Sequence, residues 1–301
     1  MRVPTVRTAV IPAAGFGTRL MPASKAVPKE MFPVLDKPVL QYVVEEALAC
    51  GMDRLVLVIS EGKDAIRRHL ENDARLEAFL AARGKSDILE KVRDIAGAAE
   101  MEYVIQPEQN GLADALLCAR EAVGGEPFGV LLGDAIIVSP PGEPSGLSQL
   151  KAVYERTGQA VVALREVALE QVSRYGIVDG DAMDPADPAL IQVRDLIEKP
   201  SPDAAPSRLA INARYIFPAS IFTYLDALPK SAGVEAYLTD AMVQLAHREG
   251  LWGYLWNARR YDIGNIPDYI SCLLDLALAD PKLGPIVRER LAHSSGLGPG
   301  E

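Results

Sequence analysis

Residues 11–38 read IPAAGFGTRLMPASKAVPKEMFPVLDKP. The stretch continues Val6–Ile11, a run rich in β-branched and apolar residues that is expected to form a first strand. Gly15 and Gly17 let the backbone turn sharply there and bring N–H groups close to phosphate oxygens. Open α/β folds bind their ligands at this place, beyond the carboxyl end of a strand. Two glycines alone are a weak signal. A dinucleotide fingerprint needs a third glycine where Leu20 stands, and Gly-Lys-Ser/Thr is absent from the loop, so neither a dehydrogenase nor a Walker-type site fits. What remains is Gly-x-Gly-Thr-Arg followed by Lys25 and Lys29. Arg19 can grip two phosphate oxygens at once and keeps its charge at any physiological pH. Pro22, Pro28 and Pro33 stiffen the chain between the cations and lower the cost of ordering it on binding.

Outward from this loop, β-branched runs alternate with helical patterns. Helices are expected at Val39–Cys50, Lys63–Leu70, Ala74–Arg83, Ser86–Ala96 and Leu112–Val123. Strands are expected at Arg54–Ile59, Met101–Ile105 and Phe128–Leu132. Continuous apolar strands separated by helices imply a parallel sheet covered on both faces. The second half is richer in strands: Ala160–Arg165, Gly176–Asp179, Leu190–Ile197, Leu209–Phe217 and Trp252–Trp256. Ser139–Gly146 reads as a loop. Helices return at Ala219–Leu228, Tyr237–Arg248, Pro267–Ala279 and Pro281–Ala292, and a disordered tail is expected over Ser294–Glu301. Chemistry-bearing segments fall on both sides of residue 140, which favours one domain over residues 1–280 and an appended helix and tail over 281–301.

The 301 residues carry a net charge of −10, which disfavours a nucleic-acid binder. Residues 1–40 nevertheless carry a net +4, so a short anion can be held locally even though a long polyanion would be repelled. Cys50, Cys118 and Cys272 are far apart and form no CxxC pair, as expected of free thiols in a reducing cytoplasm. No apolar run reaches the ~18–20 residues of a membrane helix. The stretch Thr8–Gly17 is broken by Pro12 and reads as strand then loop rather than as a signal peptide.

The order of glycines, arginine and lysines in residues 11–38 resembles the sugar-nucleotide pyrophosphorylases. The run Pro22-Ala23-Ser24-Lys25-Ala26-Val27-Pro28-Lys29-Glu30-Met31 is similar to the bacterial uridylyltransferase branch of that family, and the likeness continues in pieces to about residue 280. The resemblance implies a Rossmann-like nucleotidyltransferase fold of the α/β class. It would have a mostly parallel, mixed central sheet flanked by helices, with inserted β elements in the second half. The implied reaction joins UTP and glucose 1-phosphate into UDP-glucose and pyrophosphate with Mg²⁺, in a cytoplasmic homo-oligomer.

Residue by residue, the resemblance places the nucleotide on Ala13, Ala14, Gly15, Gly17 and Lys25, with the base read by the Gln106 side chain and the Gly111 backbone. It makes Asp134 and Asp262 the Mg²⁺ ligands. The sugar phosphate falls to Gly176, Glu198, Lys199 and Asn212, and catalysis to Arg19, Lys29, Asp134 and Lys199. Glu235 and Leu238-Thr239-Asp240 match a further family run expected to cap a helix and support the pocket. Two departures stand out: Asp114 replaces the usual His of the branch, and Ala135 replaces an acidic residue the family often has after the first Asp. The Gln106–Ala113 run leans toward thymidylyl transfer, which stays open as an alternative, as does a catalytically silent sensor of nucleotide sugars. The three histidines, His69, His247 and His293, sit in no catalytic-looking motif, in keeping with a reaction that needs no general base.

Overall fold

The computed structural model describes residues 3–229 and 237–294. Nine strands form one sheet in the order Glu100–Ile105, Arg54–Ile59, Thr8–Pro12, Phe128–Leu131, Leu209–Phe217, Ala160–Glu166, Leu251–Leu255, Leu190–Glu198 and Gly176–Ala182. The first four are mutually parallel. Leu209–Phe217 runs antiparallel to both Phe128–Leu131 and Ala160–Glu166, and beyond it only the Leu251–Leu255 to Ala160–Glu166 pairing is parallel. The expectation of a mostly parallel sheet thus describes the amino-terminal half, while the strand-rich second half extends the sheet mainly by antiparallel pairs.

Side chains alternate across a strand, and here they feed two separate cores. Val10, Val56 and Val58 pack under the helices Leu112–Cys118, Ile221–Asp226 and Leu238–Arg248. Ala9, Ile11, Leu55 and Leu57 pack on the other face, with residues of Val39–Ala49, Asp64–Leu70 and Gly146–Thr157. The continuous apolar strands of the sequence are therefore strands buried on both faces.

Three elements differ from the sequence expectation. The helix Gly146–Thr157 was not anticipated: its mean hydropathy is low, and the Pro-rich run before it reads as loop. Its apolar residues Leu147, Leu150, Val153 and Tyr154 nevertheless fall on one buried face, Ser145 caps its start by accepting from the Ser148 N–H, and Gly158 ends it at φ 70°. The expected helix Leu112–Val123 breaks at Ala119 into Leu112–Cys118 and Arg120–Val123. Finally, Ala135–Val138 and Arg259–Asp262 pair antiparallel as a small separate sheet over the helix Ile266–Ala279.

The three cysteines are free. No helix among the described residues is long and apolar enough to cross a membrane. Glu235 and the tail beyond Ser294 lie outside the described residues.

Candidate active site

The glycine-rich loop leaves Thr8–Pro12 at the carboxyl end of the parallel strands. Gly17 sits at φ 65°, where an L side chain is strained, and an added Cβ would also press on Ser24 at 3.2 Å. Ser24 Oγ donates to the Gly17 carbonyl at 2.8 Å and closes the turn.

Beneath the loop lies a buried ion pair. Lys63 and Glu30 are 7% and 1% exposed and meet at 2.9 Å. The Lys63 ammonium also donates to the carbonyls of Ala13 and Gly15, the latter at 2.8 Å. Burial pushes the Lys63 ammonium down and the Glu30 carboxyl up, each opposed by the other's charge. With those carbonyls drawn inward, the N–H groups of residues 15–19 make no backbone hydrogen bond among the described residues, and these residues are exposed or half-buried. Outward N–H groups on a glycine turn form an anion-binding concavity.

Neither Lys63 nor Glu30 was singled out from the sequence. One signal was available: Lys63 stands directly before the helix Asp64–Leu70, where the helix dipole disfavours a cation. The Ala13 N–H donates to the Val58 carbonyl at 2.7 Å and its C=O accepts from Lys63, so Ala13 anchors the start of the loop.

The small two-stranded sheet brings the carboxylates together. Asp134 precedes Ala135, Asp262 is the residue paired with Ala135, and the Ile263 N–H donates to the Asp134 carbonyl at 2.9 Å. Lys29 meets Asp134 at 2.5 Å, and Arg19 meets Asp262 at 3.4 Å. A Cβ on Gly264 would stand 2.7 Å from Arg19, 2.8 Å from Asp262 and 3.3 Å from Asp134, so the three side chains surround one small space. Burial would raise the Asp134 carboxyl, but Lys29 and Arg260 hold it below the usual carboxylate range. Burial would likewise lower Lys29, and the Asp134 charge keeps it above the usual ammonium range. Lys25 is exposed on the turn Ala23–Lys25.

Oxygen ligands suit a hard divalent cation, and Asp134 and Asp262 supply them. No group of three or more metal-ligating side chains occurs among the described residues. A cation here would therefore complete its shell with phosphate oxygens and water, as Mg²⁺ does.

Gln106 follows the edge strand Glu100–Ile105 and is buried. Its amide donates to the Gly111 carbonyl at 3.2 Å and to Asp114 at 2.7 Å, which commits its donor end to the protein. Gly111, at φ 97°, opens the helix Leu112–Cys118. The departure at Asp114 thus has a structural role in orienting Gln106.

A cavity of about 290 Å³ runs from Arg19 and Asp262 to Gly176, Glu198 and Lys199. Gly176 pairs with Glu198 across the edge strands, and a Cβ there would lie 2.9 Å from Ile211 and 3.2 Å from Glu198. Thr239 Oγ1 donates to Glu198 at 2.5 Å, which gives the Leu-Thr-Asp run its supporting function; Asp240 points out to solvent at the start of that helix. Lys199 sits at φ 47°, lies 3.2 Å from Glu198 and stacks 4.6 Å from the Tyr237 ring.

Ile211 and Ala213 line the cavity, while Asn212 between them is fully buried with both amide atoms unpartnered and does not line it. Ala213 sits at φ 60°, and the pairing with Ala160–Glu166 shifts register between Ile211 and Tyr215, so the strand is irregular here. Two buried arginines were also missed. Arg214 binds Glu46 and the carbonyls of Ala213 and Ala135, bracing the chain beside Asp134. Arg260 lines the cavity next to Asp262.

A model of the nucleotidyl transferase family matches residues 8–277. A relative from Staphylococcus epidermidis named UTP–glucose-1-phosphate uridylyltransferase is 41% identical over 278 residues, which covers 92% of this chain and 94% of the relative. A solved UTP-bound UGPase from Acinetobacter baumannii is 34% identical, with a TM-score of 0.88 over 96% of this chain and 99% of that one. A UDP-glucose pyrophosphorylase solved with UDP-glucose is 33% identical, with a TM-score of 0.83 over 92% of this chain and 100% of that one. Fold, site geometry and these likenesses agree: the chain belongs to the nucleotidyl transferase family, in its UTP–glucose-1-phosphate uridylyltransferase branch.

Proposed function

We propose that the chain forms UDP-glucose and pyrophosphate from UTP and glucose 1-phosphate. The observation that carries this reading is one cavity with two ends. Arg19 and Asp262 line one end, and Gly176, Glu198 and Lys199 line the other. Asp134 shares a small space with Arg19 and Asp262 and carries Lys29. The relatives named for this activity support it.

An oxygen of the sugar phosphate attacks the α-phosphorus of UTP, and pyrophosphate leaves in line. The nucleophile is already an anion, so no side chain needs to take a proton. The residues instead align two anions that repel each other and stabilise charge on the leaving group. N–H groups of the loop at Gly15 and Gly17, with Arg19, Lys25 and Lys29, hold the triphosphate. Gln106 and the Gly111 backbone face the base. Gly176 allows the hexose to approach the backbone, Glu198 accepts from its hydroxyls, and Lys199 holds its phosphate. Mg²⁺ held by Asp134 and Asp262 supplies further positive charge to the phosphates.

Residues 1–280 form the nucleotidyltransferase domain in this reading, with 281–301 appended. The free thiols accord with a cytoplasmic enzyme. Ile266, Ile270 and Leu274 form an exposed apolar stripe on Ile266–Ala279 that accords with a homo-oligomer.

The direct test is pyrophosphate release across UTP, dTTP, CTP and GTP with several sugar 1-phosphates. The expected result is highest kcat/KM for UTP with glucose 1-phosphate. Preference for dTTP would move the chain to thymidylyl transfer, and no turnover with any pair would make it a sensor. Lys199→Ala is expected to raise KM for the sugar phosphate by about 10–100-fold, the loss of one charged hydrogen bond. KM for UTP should move far less, and equal losses for both substrates would remove Lys199 from this role.

A further inference from the structure

Two cations lining the cavity, Arg174 and Arg260, have no part in the reaction as derived so far, and of these Arg174 is exposed while Arg260 is nearly buried. The Arg260 side chain is 10% exposed, and its Nε is buried with no hydrogen-bond partner. Its Nη2 lies 3.9 Å from Asp262, within ion-pair range but beyond a hydrogen bond. Its guanidinium stands 6.0 Å from the Tyr175 ring. Backbone pairing with Ile137 fixes where the side chain starts.

Arg214 shows how a purely structural buried arginine looks in this fold. It has no exposure, and its Nε, Nη1 and Nη2 all donate to Glu46 or to backbone carbonyls. Arg120 and Arg165 also carry an unpartnered Nε, but neither lines the cavity. A nearly buried guanidinium with unused donors, facing a cavity, is suited to an anion with several oxygens.

Position narrows the choice of anion. Arg260 has Asp262 on one side, at the end that holds Arg19, and Tyr175 on the other, next to Gly176 of the sugar end. We propose that Arg260 binds the monoester phosphate of the sugar 1-phosphate, opposite in role to Lys199: Lys199 receives it from the sugar end and Arg260 from the carboxylate end. The fork of donors then fixes which phosphate oxygen faces the α-phosphorus. This assignment rests on the uridylyl-transfer reading.

The test uses initial rates of the full chain, each substrate varied in turn, for the wild type, Arg260→Gln and Arg260→Lys. Arg260→Gln is expected to raise KM for glucose 1-phosphate by about 10–100-fold, with KM for UTP within about threefold. Arg260→Lys keeps the charge without the fork and should give a smaller rise in the same KM. Inorganic phosphate, used as a competitive probe against glucose 1-phosphate, should inhibit the glutamine variant more weakly than the wild type. Three results would overturn the assignment: unchanged KM for glucose 1-phosphate in the lysine or glutamine variant, an equal rise for both substrates, or a shift only in the Mg²⁺ concentration giving half-maximal rate. The last would mean that Arg260 acts on Asp262 alone. If Arg260→Gln does not fold, the KM values of Arg260→Lys and its weaker inhibition by inorganic phosphate relative to the wild type decide the matter by themselves. Absence of turnover in the wild type would instead refute the reaction on which the assignment rests.

Discussion

Asp134→Asn lowers kcat by about 10³-fold at saturating substrates, the expected loss for a preorganised charge at the reacting phosphates. The side chain changes little in size, so the loss reports charge. Asp134 is mostly buried, hydrogen-bonded to Lys29 and part of the small space it shares with Asp262 and Arg19. Asparagine weakens the site for a divalent cation and leaves the Lys29 ammonium without its carboxylate. The fold survives, because the backbone bond from Ile263 to the residue 134 carbonyl and the pairing of Ala135 with Asp262 do not involve the side chain.

The sign of the pH effect follows from the lowered Asp134 carboxyl. A group whose pKa is depressed on folding adds stability above its unfolded value, and that stability is lost as pH falls through the folded value. The wild type should therefore exceed Asp134→Asn in Tm at neutral pH, and the gap should close as pH falls below the ordinary carboxylate range. Steady-state kinetics and thermal melts from pH 7 downward check both points. Near-normal kcat in this variant would refute the proposed role of Asp134 as a metal ligand.

The parts of this molecule that were legible in the sequence are those set by short-range pattern. Arg54–Ile59 announces itself as a continuous apolar run after its first residue, and Ser86–Ala96 by its helical period. The glycine loop, Arg19 and Lys29 were readable because they lie within one stretch. The juxtaposition of Asp134 with Asp262 was available only through resemblance. It depends on pairing two four-residue strands far apart in the chain, and such short strands carry little pattern of their own. Lys63 and Glu30 were missed for a related reason: each reads as an ordinary surface charge until the fold buries both. Asn212 is buried beside the cavity rather than in its lining, at a register break that no local pattern announces.

The buried pair beneath the loop gives the second large effect, and it separates stability from binding. Lys63→Met leaves Glu30 almost fully buried without its ion-pair partner, and breaking such a pair on one side costs about 3–5 kcal/mol. Replacing both members with apolar residues of similar volume is often nearly neutral, so Glu30→Leu with Lys63→Met should recover most of that loss. Nucleotide binding should not recover with it. The carbonyls of Ala13 and Gly15 lose their donor in the single and the double variant alike. Nothing then holds those oxygens away from the phosphates, and the concavity of N–H groups loses its polarity.

The expected pattern is a urea midpoint that falls in Lys63→Met and returns toward wild type in the double variant, with KM for UTP raised at least about tenfold in both, the scale of one or two lost hydrogen bonds. A double variant with wild-type KM for UTP would show that the loop keeps its shape without Lys63. The nest would then be set by Gly17 and Ser24 alone. If stability also fails to return, the bonds to Ala13 and Gly15, rather than the charge pair, hold this corner of the fold together.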